Sequence, residues 1–330
     1  MVLKPISLAQ GSGGRQSQRL VRSILESTGG IPLSPLEDCA LLEDGLAMTI
    51  DGYTVTPLSF PGGHIGKLAV CGTVNDLACR GAKPLYLALS VIAEEGFEET
   101  ELLRYLADAS DLCGKLGIRI VTGDTKVVPK GHLDQLVLTT CGIGRALSSS
   151  DLGIPSIKPG DSLLLTGPIG LHGATIAALR YDLKSEGLSS DCAPLWETVE
   201  GILTFDGLRA MRDCTRGGLS TVLCEWAEAS GLGLEVDECA VTVTDPVASV
   251  CDLLGFDPFS LACEGCLLLA VSSEDTEPVL EALRKSPHAQ HASRIGTVTP
   301  SHPRWVSLNT NAGGSRVLDM PAGEILPRIC

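Results

Sequence analysis

One segment near the middle of the chain constrains the fold most, because it separates two stretches that each alternate strand-like and helix-like patterns. Residues 146–160 are rich in Ser, Pro and Gly, including Ser148-Ser149-Ser150 and Pro159-Gly160. This composition is typical of a loop between folded units. With 330 residues, 44% of them hydrophobic, the chain is long enough for two domains. We therefore predict a domain boundary near residue 152.

Both halves predict mixed α/β or α+β structure. Apolar residues recur at helical spacing over 99–116, and Gly117 follows as a stop signal. We predict strands over 46–50, 53–58, 85–93, 118–122, 136–143, 162–166, 266–271, 294–298 and 305–308, and further helices over 170–180, 218–230 and 276–285.

The charge balance argues against several partners. The formal net charge is −15, from 40 acidic and 25 basic residues, so attraction to nucleic acid or to anionic membranes is unfavourable and we expect neither. No stretch is long and apolar enough to span a bilayer, and the N-terminus lacks a secretory pattern, so we expect a cytoplasmic protein. Any bound polyphosphate must then be held locally, by backbone N–H groups, placed cations and a bridging metal.

Four aspartates are candidates for one metal site. Asp76 interrupts an apolar helical pattern over 65–81, where a carboxylate is costly unless it is paired, hydrogen-bonded or metal-bound; a solvent-facing helix end is the alternative. Asp38, Asp51 and Asp124 lie at predicted strand ends or tight turns, where hard oxygen ligands for Mg²⁺ can gather. For Asp51 a hairpin turn is the competing interpretation. Asp124 shares its predicted strand-end loop with Lys126.

Two glycine clusters precede predicted helices. They comprise Gly11, Gly13 and Gly14, and then Gly217 and Gly218 after Arg216. Exposed N–H groups at the start of a helix can receive phosphate oxygens, although a flexible N-terminus would give the first cluster too. Neither a Walker A motif nor a Rossmann glycine fingerprint is present, which disfavours P-loop and dinucleotide-binding folds.

Cysteines mark two more positions. Most of the 13 are predicted to be packing residues, because they lack disulfide-scaffold spacing. Cys263 and Cys266 flank Glu264 in a tight loop, and a redox pair or half of a zinc site is the alternative to packing there. Cys330 is the last residue, and a terminal thiol can reach a partner, carry an acyl group and swing back. A frayed end is the alternative.

Seven segments along nearly the whole chain carry a family resemblance. They are 57–68 (PLSFPGGHIGKL), 72–78 (GTVNDLA), 81–84 (GAKP), 94–97 (EEGF), 122–129 (TGDTKVVP), 215–219 (TRGGL) and the terminal residues 327–330 (PRIC). In this order they resemble the HypE family of hydrogenase maturation proteins, which the tail separates from its fold relatives. Two positions depart from the family pattern: Gln10 stands where His is usual, and Gly52 where Ser is frequent.

The resemblance implies the two-domain fold of aminoimidazole ribonucleotide synthetase and selenophosphate synthetase. Residues 1–152 would form an α/β domain that binds ATP and dimerises, residues 153–318 an α+β domain, and residues 319–330 a mobile tail carrying the terminal cysteine. ATP with Mg²⁺ would lie in the cleft between the domains.

The resemblance also implies a reaction. The carbamoyltransferase HypF would load a carbamoyl group onto Cys330, ATP would drive its dehydration to a thiocyanate, and the cyano group would pass to iron on the HypC–HypD complex for a NiFe hydrogenase. Lys126 would contact phosphate or the carbamoyl oxygen, Glu264 is the candidate base, and Arg328 would stabilise the thiolate or guide the tail. Nucleotide contacts are expected at Gly11, Gly13, Gly14, Asp76, Asp124, Thr125, Arg216, Gly217 and Gly218, and metal ligands at Asp38, Asp51, Asp76 and Asp124.

Two other function classes remain open on the residues alone. One is a fold relative that phosphorylates a small molecule. The other is a non-enzymatic scaffold whose cysteines carry iron or nickel for a partner. ATP turnover that depends on a carbamoylated Cys330 would separate the dehydratase from both.

Overall fold

A computed structural model of the chain describes residues 5–28, 36–147, 152–323, 326 and 328–330. The serines of the predicted linker, 148–150, lie outside the described residues, and the boundary near residue 152 stays a prediction. Five short 3₁₀ turns accompany the helices and strands given below, at Leu8–Gln10, Glu43–Gly45, Ile154–Ser156, Glu238–Ala240 and Pro258–Ser260.

The first half is built on a five-stranded sheet. Its elements are α1 (Gly14–Ser27), β1 (Ala40–Leu41), β2 (Leu46–Tyr53), β3 (Ser59–Phe60), β4 (Gly63–His64), α2 (Ile65–Cys79), β5 (Ala82–Glu94), α3 (Glu99–Lys115), β6 (Arg119–Val128) and β7 (Leu136–Ala146). The strand order is β1-β2-β7-β5-β6, with only β5 and β6 parallel. Helix α3 makes that parallel crossover, as strands of the same direction require. Strands β3 and β4 form a separate small hairpin.

The second half is built on a seven-stranded sheet. Its elements are β8 (Ser162–Leu165), α4 (Leu171–Arg180), α5 (Trp196–Glu200), β9 (Leu208–Asp213), α6 (Gly218–Ser230), β10 (Gly233–Asp237), α7 (Asp245–Leu254), β11 (Leu267–Val271), α8 (Thr276–Leu283), β12 (Ser293–Thr299), β13 (Val306–Asn309) and β14 (Ser315–Leu318). The order is β14-β13-β10-β12-β8-β11-β9, and only β10 and β13 run parallel. Strands β8 and β11 are buried along their whole length, since helices cover the sheet.

Helix α2 joins the two halves. It packs on β2, β5 and β7 of the first sheet and on β9 and α5 of the second half. Because it has neighbours on all sides, it is apolar around nearly its whole circumference. Asn75 and Asp76 do not break it: the Asn75 amide bonds Ala193 O and Leu195 N, and Asp76 accepts from Thr49 Oγ1 at 2.6 Å. A satisfied polar group can remain inside a buried helix.

Two expected loops are instead parts of strands. Strand β2 continues through Asp51-Gly52, since Gly52 pairs with Thr139 of β7, so the hairpin interpretation is wrong. Strand β6 runs through 122–126, because each of these residues pairs in register with β5. In both places pairing with a neighbouring strand overrides the local turn preference of Gly and Asp.

One face of the first sheet is not covered by α2. Strand alternation places Met48, Ile50, Thr139, Asp124 and Lys126 on this side, and we call it the open face. Met48 and Ile50 are exposed, and every residue of β6 except Val128 is exposed at the sheet edge. Over the described part of the chain, no helix combines the length and apolar character that a membrane crossing needs.

Candidate active site

Three aspartates from distant parts of the chain meet beside α2. Asp38 precedes β1, Asp76 lies on α2, and Asp213 ends β9; one carboxylate oxygen of each lies within 4.8 Å of the others. We call these three residues the acidic cluster. Asp38 and Asp76 were predicted from the sequence, whereas Asp213 was not, because strand β9 was missed. The available signal was its place directly before the second glycine loop.

The electrostatics of the acidic cluster favour a cation. Burial raises the pKa of Asp38 to about 6, against the opposing effect of Arg212, whose Nε lies 2.9 Å from its Oδ1. Burial also raises the pKa values of Asp76 and Asp213 well above the ordinary value, and neighbouring carboxylates add to both shifts. Asp38 Oδ2 is buried and has no hydrogen-bond partner among the described residues. Hard oxygens, mutual repulsion and an unpaired acceptor fit Mg²⁺.

The two glycine loops, predicted separately, form one structure. Gly13, at φ +79°, lies so close to the backbone of Arg216 and Gly217 that an added Cβ would stand 2.7 Å from Arg216 O. Helix α1 begins at Gly14 and α6 at Gly218, so two helix N-termini converge here. The N–H groups of a helix's first turn and its positive dipole end make such a place suited to phosphate.

A cavity of about 790 Å³ joins the glycine loops to the acidic cluster. The residues that line it include Gly11, Gly13, Gly14, Asp38, Arg212, Asp213 and Arg216. Its volume lies within the usual range of small-molecule and cofactor sites. The cavity can therefore hold a polyphosphate ligand with its phosphates between the glycine loops and the aspartates.

The C-terminal tail is docked beside this cavity. Backbone pairing holds it, because Thr54 N donates to Cys330 O at 2.8 Å and Thr56 N donates to Arg328 O at 3.2 Å. Ile329 is buried. Burial raises the pKa of the Cys330 thiol to about 12, while Arg216 acts in the opposite direction and Glu264, Asp51 and Asp213 add to the shift. The thiol thus lies within electrostatic range of both the predicted base and the acidic cluster.

Glu264 is held in a tight loop, within electrostatic range of Cys330. Asp191 accepts hydrogen bonds from Glu264 N at 3.0 Å and Gly265 N at 3.1 Å, and Asn75 reaches Glu264 O at 3.4 Å. A Cβ on Gly265 would stand 1.9 Å from Asp191 O, so only glycine fits. Glu264 is 2% exposed, its Oε1 has no partner among the described residues, and burial raises its pKa well above the ordinary value. A buried, unpaired carboxylate of raised pKa is a competent proton acceptor.

The neighbouring cysteines pack in the core. Cys263 and Cys266 are fully buried; Cys263 Sγ accepts from Gly170 N at 3.1 Å, and Cys266 contacts Gly167 O at 3.5 Å. In the described parts of the chain, the acidic cluster is the only group of three or more close metal-ligating side chains, and no cysteine belongs to it. These contacts support the packing interpretation.

Residues 124–126, which we call the edge segment, lie elsewhere. Asp51 aligns across β7 and β5 with Gly123, so the edge segment is three strand spacings of about 4.8 Å, roughly 14 Å, from Asp51. Asp124 and Lys126 also lie on the open face, opposite to Asp51 and the acidic cluster. They pair with each other at 2.7 Å, which lowers the pKa of Asp124, and Thr125 between them is exposed. Within one chain, Asp124 does not join Asp38, Asp51 and Asp76.

Arg328 binds the tail to Thr54 and Asp134. Its Nε donates to Thr54 O at 2.9 Å, and its guanidinium pairs with Asp134. Arg216 is the cation that acts on the Cys330 thiol. Of the two roles expected for Arg328, the structure supports guidance of the tail.

The fold and the cavity define a class of protein. Residues 36–146 match the family model of the N-terminal domain of AIR synthase related proteins, and residues 158–305 match the model of their C-terminal domain. The chain is thus a two-domain protein of the aminoimidazole ribonucleotide synthetase-like fold, as the sequence predicted.

Full-length relatives narrow the class. The chain is 41% identical over 333 residues to carbamoyl dehydratase HypE of Rhodobacter capsulatus, covering 98% of both chains. A solved HypE in complex with ATP matches with TM-score 0.84 and 41% identity, covering 98% of this chain and 100% of that one. A HypE–HypF complex matches with TM-score 0.88 and 38% identity, covering 92% and 99%. This chain belongs to the HypE family of carbamoyl dehydratases, which act in hydrogenase maturation.

Proposed function

We propose that this chain uses ATP to dehydrate a carbamoyl group carried on the sulfur of its own Cys330. The docking of the Cys330 backbone on Thr54, with the thiol within electrostatic range of Glu264 and of Arg216 in the cavity wall, is the observation that carries this proposal. The reaction converts the S-carbamoyl group and ATP into a thiocyanate, ADP, phosphate and a proton. The product is a cyanide donor for iron in NiFe hydrogenase assembly.

The order of the chemical steps follows from the groups that surround the docked tail. The carbamoyl oxygen is a poor leaving group until it is phosphorylated, so the γ-phosphate must be held close to the loaded sulfur. Phosphoryl transfer to that oxygen releases ADP. Glu264 then takes one N–H proton, and the second N–H proton leaves on the phosphate, which carries the oxygen away as the nitrile forms. Arg216, between the glycine loop and Cys330, balances negative charge as it develops.

ATP and Mg²⁺ fit the cavity. A solved relative binds ATP, and here the loops around Gly13 and Gly217 supply backbone donors for phosphate. Asp38, Asp76 and Asp213 would hold Mg²⁺, with Asp51 close enough to add charge. Bound there, the ion neutralises phosphate charge. We thus replace Asp124 by Asp213 in the proposed ligand set.

Two partners and a second copy complete the proposal. HypF, seen in complex with a solved relative, would load the carbamoyl group, and the HypC–HypD complex would receive the cyano group. The open face, with exposed Met48 and Ile50, would pack on a second copy, and we assign the contact of Lys126 with phosphate or the carbamoyl oxygen to that homodimer. A cytoplasmic location stays a prediction.

Intact-mass measurement tests the proposal on the full chain. Incubation with HypF and a carbamoyl donor should add one carbamoyl group, and ATP with Mg²⁺ should then remove one water. Cys330→Ala should abolish the adduct and leave ATP affinity nearly unchanged. An adduct retained in that variant, or phosphate release without loss of water, would contradict the proposed reaction.

A further inference from the structure

Helix α4 contacts the docked tail at two places. His172, in its first turn, lies 2.7 Å from Ile329 O through Nε2. Arg180, at its last residue, donates to Arg328 O and to Thr56 O. Together with the backbone pairing to Thr54 and Thr56, these contacts bind the three consecutive carbonyls of residues 328–330. The carbonyl that His172 contacts belongs to the residue next to Cys330.

The hydrogen bonds around His172 fix its tautomer. A carbonyl only accepts, so Nε2 must carry the proton that is donated to Ile329 O. Nδ1 is then an acceptor, and the Ser190 hydroxyl, 2.8 Å away, donates to it. Ser190 Oγ in turn accepts from Cys192 N at 3.1 Å. The chain of donors runs in one direction and ends at the tail.

His172 is closely packed in the docked arrangement. His172 is fully buried, and the ring of Phe60 meets its ring edge to face at 5.2 Å. Burial lowers its pKa to about 4, so the ring is neutral at physiological pH and has a single N–H group. When the tail leaves, this N–H loses the Ile329 carbonyl as its acceptor, and giving up a hydrogen bond made by a buried donor is unfavourable. The docked tail is therefore the arrangement that satisfies His172.

We propose that His172 is a positioning residue that holds Cys330 in its docked arrangement through the bond from Nε2–H to the Ile329 carbonyl, with Ser190 fixing the required tautomer. The role rests on the proposed function only in taking the docked tail as the reactive state. Nothing in the reaction itself passes through the imidazole.

Three variants of the full chain separate this role from general packing. His172→Phe keeps a ring of similar size but removes the donor. His172→Gln keeps an N–H donor near the position of Nε2, and it should restore much of the contact. Ser190→Ala leaves the ring in place but frees its tautomer, so it should give a smaller change in the same direction.

Pulsed alkylation with iodoacetamide, read peptide by peptide, measures docking without ATP or any partner. In His172→Phe the rate at Cys330 should rise about tenfold, as expected for the loss of one buried hydrogen bond. Exposed Cys239 and fully buried Cys214 serve as internal controls and should not change. Ser190→Ala should show a rise of about threefold, and His172→Gln should stay near wild type.

Three results would overturn the assignment. They are an unchanged alkylation rate at Cys330 in His172→Phe, equal rates in the Phe and Gln variants, and a parallel rise at Cys214, which would assign the effect to a loosened core.

A second experiment uses the carbamoylated chain. Here His172→Phe should slow ATP-dependent loss of water about tenfold, while loading by HypF is not slowed. If wild type itself loses no water, the proposed reaction fails, whereas the alkylation result still decides the role of His172.

Discussion

The acidic cluster and the edge segment carry similar residue types, yet the fold treats them in opposite ways. Asp38, Asp76 and Asp213 are brought together beside a cavity, where burial raises their pKa values. Asp124 and Lys126 lie on the open face, where they neutralise each other in solvent. Within one chain, residue type alone thus does not make a site, because the fold must also bring the carboxylates together in a buried place.

The same contrast between a buried site and the edge segment separates two side chains with predicted catalytic roles, Glu264 and Lys126. Glu264→Gln should lower the rate of water loss about a thousandfold, as for removal of a general base, with ATP affinity retained. Lys126→Ala should cost about a hundredfold if its charge serves a site across the dimer. Single-turnover mass spectrometry of carbamoylated chains measures both.

Mixing the two variants locates Lys126. A heterodimer of Glu264→Gln and Lys126→Ala contains one site with both residues, so an equal mixture that exchanges freely should recover about a quarter of wild-type activity. A mixture no more active than the mean of its components would show that Lys126 does not serve the partner's site.

Asp213→Asn and Asp124→Asn form the next matched pair. Loss of a ligand from the acidic cluster should reduce Mg²⁺-dependent ATP turnover about a hundredfold, because the phosphates lose their fixed position. Asp124→Asn, which removes an exposed ion-pair partner, should change magnesium affinity about twofold or less. Titration calorimetry with Mg²⁺ and a non-hydrolysable ATP analogue measures the affinities; similar losses in both variants would remove the distinction between the two regions.

The pH dependence of magnesium binding tests the burial of the acidic cluster. Asp38 has a pKa raised to about 6, so protons compete for it as the pH falls through that value. Between pH 7 and pH 5 this group alone should lower Mg²⁺ affinity about tenfold. In the absence of metal, low pH favours the folded state at this group, because folded Asp38 binds its proton more tightly than unfolded Asp38. This contribution to stability is complete below pH 3.8, the ordinary pKa, and is lost as the pH rises through about 6. A pH-independent affinity over this range would contradict the shift.

The smallest effect concerns the glycine loops. Gly13→Ala places a Cβ 2.7 Å from Arg216 O and should weaken ATP binding about fivefold by separating the loops. Gly96→Ala is the control, because Gly96 also has a positive φ, of +93°, but no atom within 4 Å of an added Cβ. Thermal unfolding should show a loss of stability in both variants from the positive φ, and a larger loss in Gly13→Ala because its Cβ also meets the Arg216 backbone. Equal nucleotide affinities would mean that the contact of the loops is not needed for binding.

Local sequence patterns predicted helices and strands better than they predicted which residues meet in the candidate active site. The helix predicted over 99–116 is observed as Glu99–Lys115, because acidic residues begin it, Lys115 lies in its last turn, and Gly117 follows with φ +71°. The two glycine loops were also recognised, but their mutual contact joins residues about two hundred positions apart, which no local pattern contains. Fold class and family followed from the ordered motifs.

The missed residues depend on tertiary pairing. Asp213 belongs to a strand with two arginines, and that strand was not predicted because its polar residues find partners distant in sequence, such as Asp161 for Arg209 and Asp38 for Arg212. His172 gains its role from a carbonyl 157 positions further along the chain. The position of the edge segment follows from the register of four strands, whereas its Gly-Asp sequence suggests a loop.

The docked C-terminus has a kinetic consequence. On the proposed function, the group carried on Cys330 is a substrate tethered to its own catalyst and is present at a fixed effective concentration, so diluting the protein would leave the chemical step first-order and a dilute free thiol would compete poorly for the pocket. Each chain would then process one carbamoyl group per visit of its tail. Because loading by a partner needs a released tail, tighter docking would lengthen that cycle.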